Sequence, residues 1–197
     1  MENLQSKGMF ISYGEFRDDL REVRRRYEDE LKSAYFIHFD SLQAKMYTDP
    51  LKDWDQVLSR FKKDVQYNIE ESSKCFAMER YGAAVFHILQ VAEYGVIKVA
   101  ELLQIPGDKP GWGSLKGLQK LISVPWPQRE PLAKKHSKLL ENVVPLAFVM
   151  KDSWRHKLDH VNNQLLWLEK DFSPLVAEEI ISATRAFMRK LALEFPQ

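Results

Sequence analysis

The sequence predicts an all-α protein: a helical bundle with an added N-terminal helical region. Three observations predict it. Apolar residues recur every three or four positions through most of the chain, the spacing of a helix face. No stretch shows the strict alternation of a half-buried strand. Proline, glycine and capping serine fall where helices would stop and restart. Of 197 residues, 45% are hydrophobic and 29% charged, which suits a sizeable core and not a disordered chain. The expected division is residues 1–60 as a helical extension and 61–197 as the bundle.

Residues 1–13 read as a loose leader. From Glu15, the series Phe16, Leu20, Val23, Tyr27, Leu31 and Ala34 predicts an amphipathic helix. Arg24, Arg25 and Arg26 lie on it as a solvated face or as a contact to a phosphate backbone. Residues 35–50 either extend that helix or form a short extended piece, and His38 is expected to be a packing residue. Thr48-Asp49-Pro50 reads as a stop, with Pro50 favourable at the start of the next helix. Trp54, Val57, Leu58 and Phe61 give a short amphipathic helix, and residues 64–78 another.

Arg80-Tyr81-Gly82 bends the chain or opens a helix. Residues 83–103 are then apolar on most sides, which marks a central helix. Polar residues interrupt the run too often for a membrane span. Only His87, Gln90, Tyr94, Lys98 and Glu101 form a solvent strip. Glu93 lies off it, among Phe86, Leu89, Ile97 and Ala100, so its carboxylate needs a partner. Residues 105–113 form a turn-rich loop without phosphate-loop spacing. Ser114 caps a short helix to Ile122. After Pro125-Trp126-Pro127, residues 128–152 predict a long helix, with Pro131 in its first turn and Pro145 kinking or interrupting it. Its core residues are Leu139, Leu140, Val143, Val144, Ala147, Phe148 and Met150. Ser173-Pro174 opens the last helix, to about Phe195. Leu175, Ile180 or Ile181, Ala183 or Thr184, Phe187, Leu191 and Leu193 face inward, and Arg185, Arg189 and Lys190 outward.

The net charge of +1 gives no global basic field, so any nucleic acid would meet a local patch. The single cysteine, Cys75, excludes an internal disulfide and a cysteine zinc cluster, and reads as a small hydrophobe. Residues 1–5 lack a basic stretch followed by an apolar one, so no secretory signal is expected. The expectation is a cytoplasmic protein with no membrane partner and no cofactor.

Chemistry concentrates in Trp154-Arg155-His156-Lys157-Leu158-Asp159-His160. If helical, His156 and His160 share a face. That is the spacing of a zinc helix, but Lys157 stands where a metalloprotease needs glutamate, and no third and fourth ligands lie nearby. Phosphodiester cleavage without metal suits the set better. RNA carries its own nucleophile, the 2′-OH. Histidine titrates near neutrality and can take or give the proton. Arginine forms planar, charge-assisted pairs with phosphate oxygens. Arg155 is also a candidate partner for Glu93, which would hold the guanidinium towards a cleft, with Arg80 or Lys98 as alternatives.

Arg155-His156-Lys157-Leu158-Asp159-His160 resembles the motif of the HEPN superfamily: arginine, a polar residue, then histidine after four to six residues, before the last core helix. Arg80 to His87 and Arg129 to His136 satisfy the bare spacing too, but Tyr81 and Glu130 stand where the motif favours Asn, Asp or His, and neither pair lies before the last helix. The resemblance extends to residues 79–87, Glu93, Trp112-Gly113 and residues 186–188, and spans roughly residues 64–195. It implies a HEPN-like four-helix core and a metal-independent ribonuclease of a toxin–antitoxin, abortive-infection or other antiphage system. It implies Arg155 as phosphate clamp, His160 as proton-transfer group and His156 as a second polar contact. Glu93, if it pairs with Arg155, adds a physical support. It also implies RNA as substrate, a homodimer with a composite cleft, and an antitoxin or defence protein as further partner. Asn162 stands where toxins modified by a nucleotidyltransferase carry tyrosine, which leaves that form of regulation unsupported. The alternative reading is a non-catalytic nucleotide- or RNA-binding or scaffold module.

Overall fold

The structure, a computed structural model, describes residues 12–106, 111–155 and 172–195, with Arg155 described by its backbone alone. Every regular element among them is helical. The chain divides into two compact units, Met1–His38 and Phe39–Gln197. Residues 39–60, counted with the extension on sequence grounds, are part of the second unit.

The first unit holds helix α1, Tyr13–Ser33. Ser12 caps it, accepting from the Glu15 N–H while the Glu15 carboxylate accepts from the Ser12 N–H. No residue of α1 is buried. Its arginines are satisfied within the helix: Arg24 by Glu28, Arg25 by Glu22 and Asp29, and Arg26 by Glu22. The triplet is therefore a solvated, self-paired face. His38, expected to pack, is exposed.

Residues 34–38, after α1, have no regular structure; in the second unit, α2 runs Ser41–Thr48 behind a capping box of Asp40 and Gln43. Pro50 does not start the next helix. It sits in a turn, and α3 begins at Asp55 and continues to Ala77. The two helices expected around residues 54–61 and 64–78 are one helix with a kink, where Phe61 leaves helical geometry (φ −126°, ψ 20°). Glu79, in the left-handed region at φ 59°, breaks the chain, and α4 starts at Tyr81 and runs to Leu102. By length and composition α4 is apolar enough to cross a membrane, but it lies at the centre of the bundle with eleven buried residues. Its expected solvent strip is correctly placed, with His87, Gln90, Tyr94, Lys98 and Glu101 all partly or fully exposed.

After a 3₁₀ turn at Gly111–Ser114 comes α5, Leu115–Ser123. Ser114 stands at its N-cap with α-helical backbone and no side-chain capping bond, contrary to expectation, because the 3₁₀ turn already leads into the helix. The long helix expected over 128–152 is broken into α6 Pro131–Lys135, α7 Ser137–Asn142 and α8 Val144–Met150. Pro145 lies in the first turn of α8, where its missing N–H is harmless, so it restarts a helix instead of kinking one. The last helix, α9, spans Pro174–Glu194, capped by the Ser173 hydroxyl, which accepts from the Val176 N–H.

The core joins α3, α4, α8 and α9, with α5 and α7 against one side and α2 against α3. Leu139, Leu140, Val143, Val144, Ala147 and Met150 are buried as expected. On α9, Ile180, Ile181, Thr184, Phe187 and Leu191 are buried. Leu175 and Leu193, expected inward, are exposed. At 100° per residue they stand about 140° from Ile180 and about 160° from Leu191, off the buried stripe. Arg185 and Arg189, expected outward, reach back to the turn before α3: Arg189 Nη2 donates to the Asp53 carbonyl at 2.6 Å, and Arg185 Nη1 lies 3.6 Å from the Asp53 carboxylate.

Candidate functional site

The approach to the candidate motif is built from α8. Val144, Ala147 and Met150 bury one face, and the Thr184 hydroxyl of α9 donates to Met150 Sδ at 3.7 Å. The chain then passes into a π-helical turn, Lys151–Arg155. Such turns widen a helix by one residue and recur at functional sites. Trp154, within it, is partly buried against the core. On the far side of the motif, Phe172 is almost wholly buried immediately before the α9 cap. The described residues flanking the motif are thus fixed on the bundle at both ends. His156 and His160 lie outside the described residues, and of Arg155 only the backbone is placed, at the end of the π turn.

Glu93 is described, and it is half-buried on α4. Its Oε1 accepts from the Trp112 N–H at 3.3 Å. Gly111 packs against the same carboxylate so closely that any side chain there would collide with it, and Gly111 holds a left-handed φ of 91°. Glycine is thus required twice over at that position. Of the cations weighed as partners, Lys98 pairs instead with Glu101 at 2.8 Å, and Arg80 is exposed at the start of α4. One function of Glu93 is therefore clear: it ties the 3₁₀ turn before α5 to the central helix.

The two other arginine–histidine spacings have structural explanations. Arg129 is a clamp: Nη1 pairs with Glu141 at 2.7 Å, Nε donates to the Val124 carbonyl at 3.0 Å, and Nη2 donates to the Ile122 carbonyl at 3.2 Å. Its guanidinium also lies over the Trp126 ring. It fastens the end of α5 to α7, with three of its five N–H groups engaged and its side chain 9% exposed. Its spacing partner His136 sits at the α6–α7 junction, where burial first and then Lys135 push its pKa down. His87 Nδ1 lies 3.0 Å from Asn68 Oδ1, joining α4 to α3. Cys75 is partly buried, and burial pushes its thiol pKa up, so it is no activated nucleophile.

The sequence reading missed a cavity of about 400 Å³ between α2, α3, α4 and α9. Its walls include Met46, Trp54, Ile69, Phe76 and Ile181, and Arg185 lies among them, its guanidinium 5.6 Å from the centre of the Trp54 ring. Burial lowers the Arg185 pKa, against the pull of Asp53. The sequence signal was faint: Arg185 and Arg189 one turn apart on a helix whose other face is apolar.

No protein-family model matches this chain, and no curated protein and no solved structure matches it at a significant level.

Proposed function

We propose that this chain is a metal-independent, HEPN-type endoribonuclease of the cytoplasm, acting as a homodimer in a toxin or antiphage role. Its partners are RNA and an antitoxin or other defence protein. One observation carries the reading: Arg155, His156 and His160 stand within six residues of each other, ahead of the last core helix in the chain and between stretches whose described residues are anchored in the core. Its support by elimination is that Arg129 and His87, of the competing spacings, are engaged in packing contacts.

The chemistry follows from the residue types. A bond forms between the RNA 2′-oxygen and phosphorus, and the bond from phosphorus to the 5′-oxygen breaks. The products are a 2′,3′-cyclic phosphate and a 5′-hydroxyl. His160 exchanges a proton with one of those two oxygens, which is worth about 10²–10⁴-fold in rate. Arg155 holds the non-bridging oxygens as their charge grows, and His156 supplies a second polar contact. Purified protein is expected to cut RNA in EDTA, and His160→Ala to abolish cutting while the circular dichroism spectrum is unchanged. Cleavage that requires a divalent metal, or that persists in the variant, refutes the proposal.

A different observation favours a second reading, a non-catalytic nucleotide- or RNA-binding module. The cavity beside Trp54 and Arg185 has the size and mixed lining of a small-ligand site. That reading expects no cleavage, and nucleotide binding that survives His160→Ala but is lost in Arg185→Met.

A further inference from the structure

We infer that α1 is a self-association helix: it pairs in parallel and in register with α1 of a second copy of this chain. The inference is independent of the ribonuclease reading. It starts from an unpartnered face. Tyr13, Phe16, Leu20, Val23 and Tyr27 are each more than half exposed. A run of large apolar side chains in water marks an interaction surface. Their spacing of three, four, three and four residues is the a/d seam of a two-stranded coiled coil. One further step of four reaches Leu31. Two successive steps of four form a stutter, which locally unwinds the supercoil without ending the seam.

The charges select the occupant. Between Tyr13 and Ser33 there are six Arg or Lys and seven Asp or Glu, so α1 has no excess of positive charge to draw it to an anionic membrane or to RNA. Its arginines at positions 24, 25 and 26 are neutralised along the helix by Glu22, Glu28 and Asp29. Mixed charges around an apolar seam are the pattern of a helix that meets another helix. With Leu20 at a and Val23 at d, Asp19 falls at g and Arg24 at e. In a parallel, in-register pair each g residue lies beside the e residue five positions on in the other helix, so Asp19 meets Arg24 of the second copy, twice by symmetry. In the antiparallel arrangement that stacks Leu20 on Val23, Arg17 would face Arg24 twice, a repulsion that offsets the attraction of Asp19 to Arg26 on the other side of the seam. Charge therefore favours the parallel form.

Three heptads make a short coiled coil, so association of the full chain is expected in the range of roughly 10–100 μM. Sedimentation equilibrium of the full-length protein over roughly 1–200 μM tests it. Leu20→Glu with Val23→Glu is expected to weaken the dimer at least about 100-fold with an unchanged helical signal, since both sites are exposed and glutamate is a good helix former. Asp19→Arg and Arg24→Asp are each expected to weaken it, and the double exchange to restore it. A wild-type chain that stays monomeric, or a dimer indifferent to the seam substitutions, overturns the inference. A seam-dependent dimer that the double exchange fails to restore overturns the parallel register and with it the proposal as stated.

Discussion

Gly95 sits in the middle of α4, where it crosses α9, and replacing it with alanine tests that crossing directly. On helix propensity alone the change should stabilise the protein by about 1 kcal/mol. The packing predicts the opposite. A Cβ built on Gly95 would lie 2.5 Å from Phe187 Cε1 and 2.7 Å from Met188 Sδ. Carbon atoms in contact normally sit about 3.5–4.0 Å apart. Neither neighbour can swing aside into solvent, because Phe187 and Met188 are both fully buried. Overpacking of a closed core costs about 1–3 kcal/mol, and two rigid contacts of this kind belong in the upper part of that range. Subtracting the propensity gain leaves a net loss of about 2 kcal/mol. For a chain of this size that corresponds to a drop of about 4–8 °C in Tm. Urea unfolding followed by circular dichroism at fixed pH measures it. Adding Phe187→Leu should recover part of the loss, so that the double variant is more stable than the sum of the singles. A Gly95→Ala protein as stable as wild type, or more stable, would refute the close crossing of α4 and α9.

Three other changes separate residues that look alike in the sequence. Ser173→Ala removes a capping bond to Val176 and should cost about 1 kcal/mol, whereas Ser114→Ala removes no capping bond and should leave the stability of α5 nearly unchanged in the same unfolding assay. Arg129→Ala should lower stability by about 2–3 kcal/mol, since it strips the charged group from three partners, yet leave RNA cleavage by the folded protein intact. Arg155→Ala should do the reverse, and matched unfolding and cleavage assays on the two variants read the difference. The His136 pKa is depressed in the folded protein, so acid favours the unfolded chain. Its contribution is complete above the unfolded value of about 6.5 and is lost as pH falls from there through the folded value. An NMR titration that places His136 at or above about 6.5 would contradict this.

The fold was legible where the signal is periodic and local. The apolar stripe of α4, the buried residues of α7 and α8, and the Ser173-Pro174 start of α9 follow from spacing and capping chemistry alone. What escaped depends on distant partners. A glycine within an apolar helical run looks like a defect in the sequence, and only the presence of Phe187 and Met188 shows why Gly95 is there. In the sequence Pro50 reads as a helix start and Pro145 as a kink or interruption of a long helix. The structure starts a helix around Pro145 instead and places Pro50 in a turn, where Asp53, at φ 68°, is held through its carbonyl by Arg189 of α9. That bond spans more than a hundred residues of chain, and no local pattern announces it. Residues 35–50 were ambiguous for a simpler reason: the Asp40–Gln43 capping box that fixes the start of α2 follows an exposed run, Tyr35, Phe36 and Ile37, whose composition suits a longer α1 and an extended piece equally.

For the candidate site, spacing alone left three arginine–histidine pairs; the residue after the arginine and its place in the chain single out Arg155, and packing accounts for Arg129 and His87. An arginine that is largely buried and already bonded to two carbonyls and a carboxylate, as Arg129 is, would have to give up packing contacts to clamp a phosphate. A histidine bridging two core helices, as His87 is, would have to give up that contact to shuttle a proton. Glu93 makes the complementary point. An acid on a largely apolar helix suggested a buried ion pair, yet one of its oxygens receives the N–H of Trp112, and Gly111 is shaped around it. Its carboxylate thus fixes the loop before α5 by a hydrogen bond to neutral backbone. The need of that carboxylate for a partner also made Glu93 a candidate support for Arg155, and the two roles differ in their consequences. If Glu93 serves only the loop, Glu93→Gln keeps an acceptor for the Trp112 N–H and should change neither stability nor cleavage by much. If it also holds Arg155, the same substitution removes the charge that orients the guanidinium, and cleavage should fall while the urea midpoint stays within about 0.5 kcal/mol of wild type. The variant therefore discriminates between a residue that builds the scaffold and one that aims the clamp.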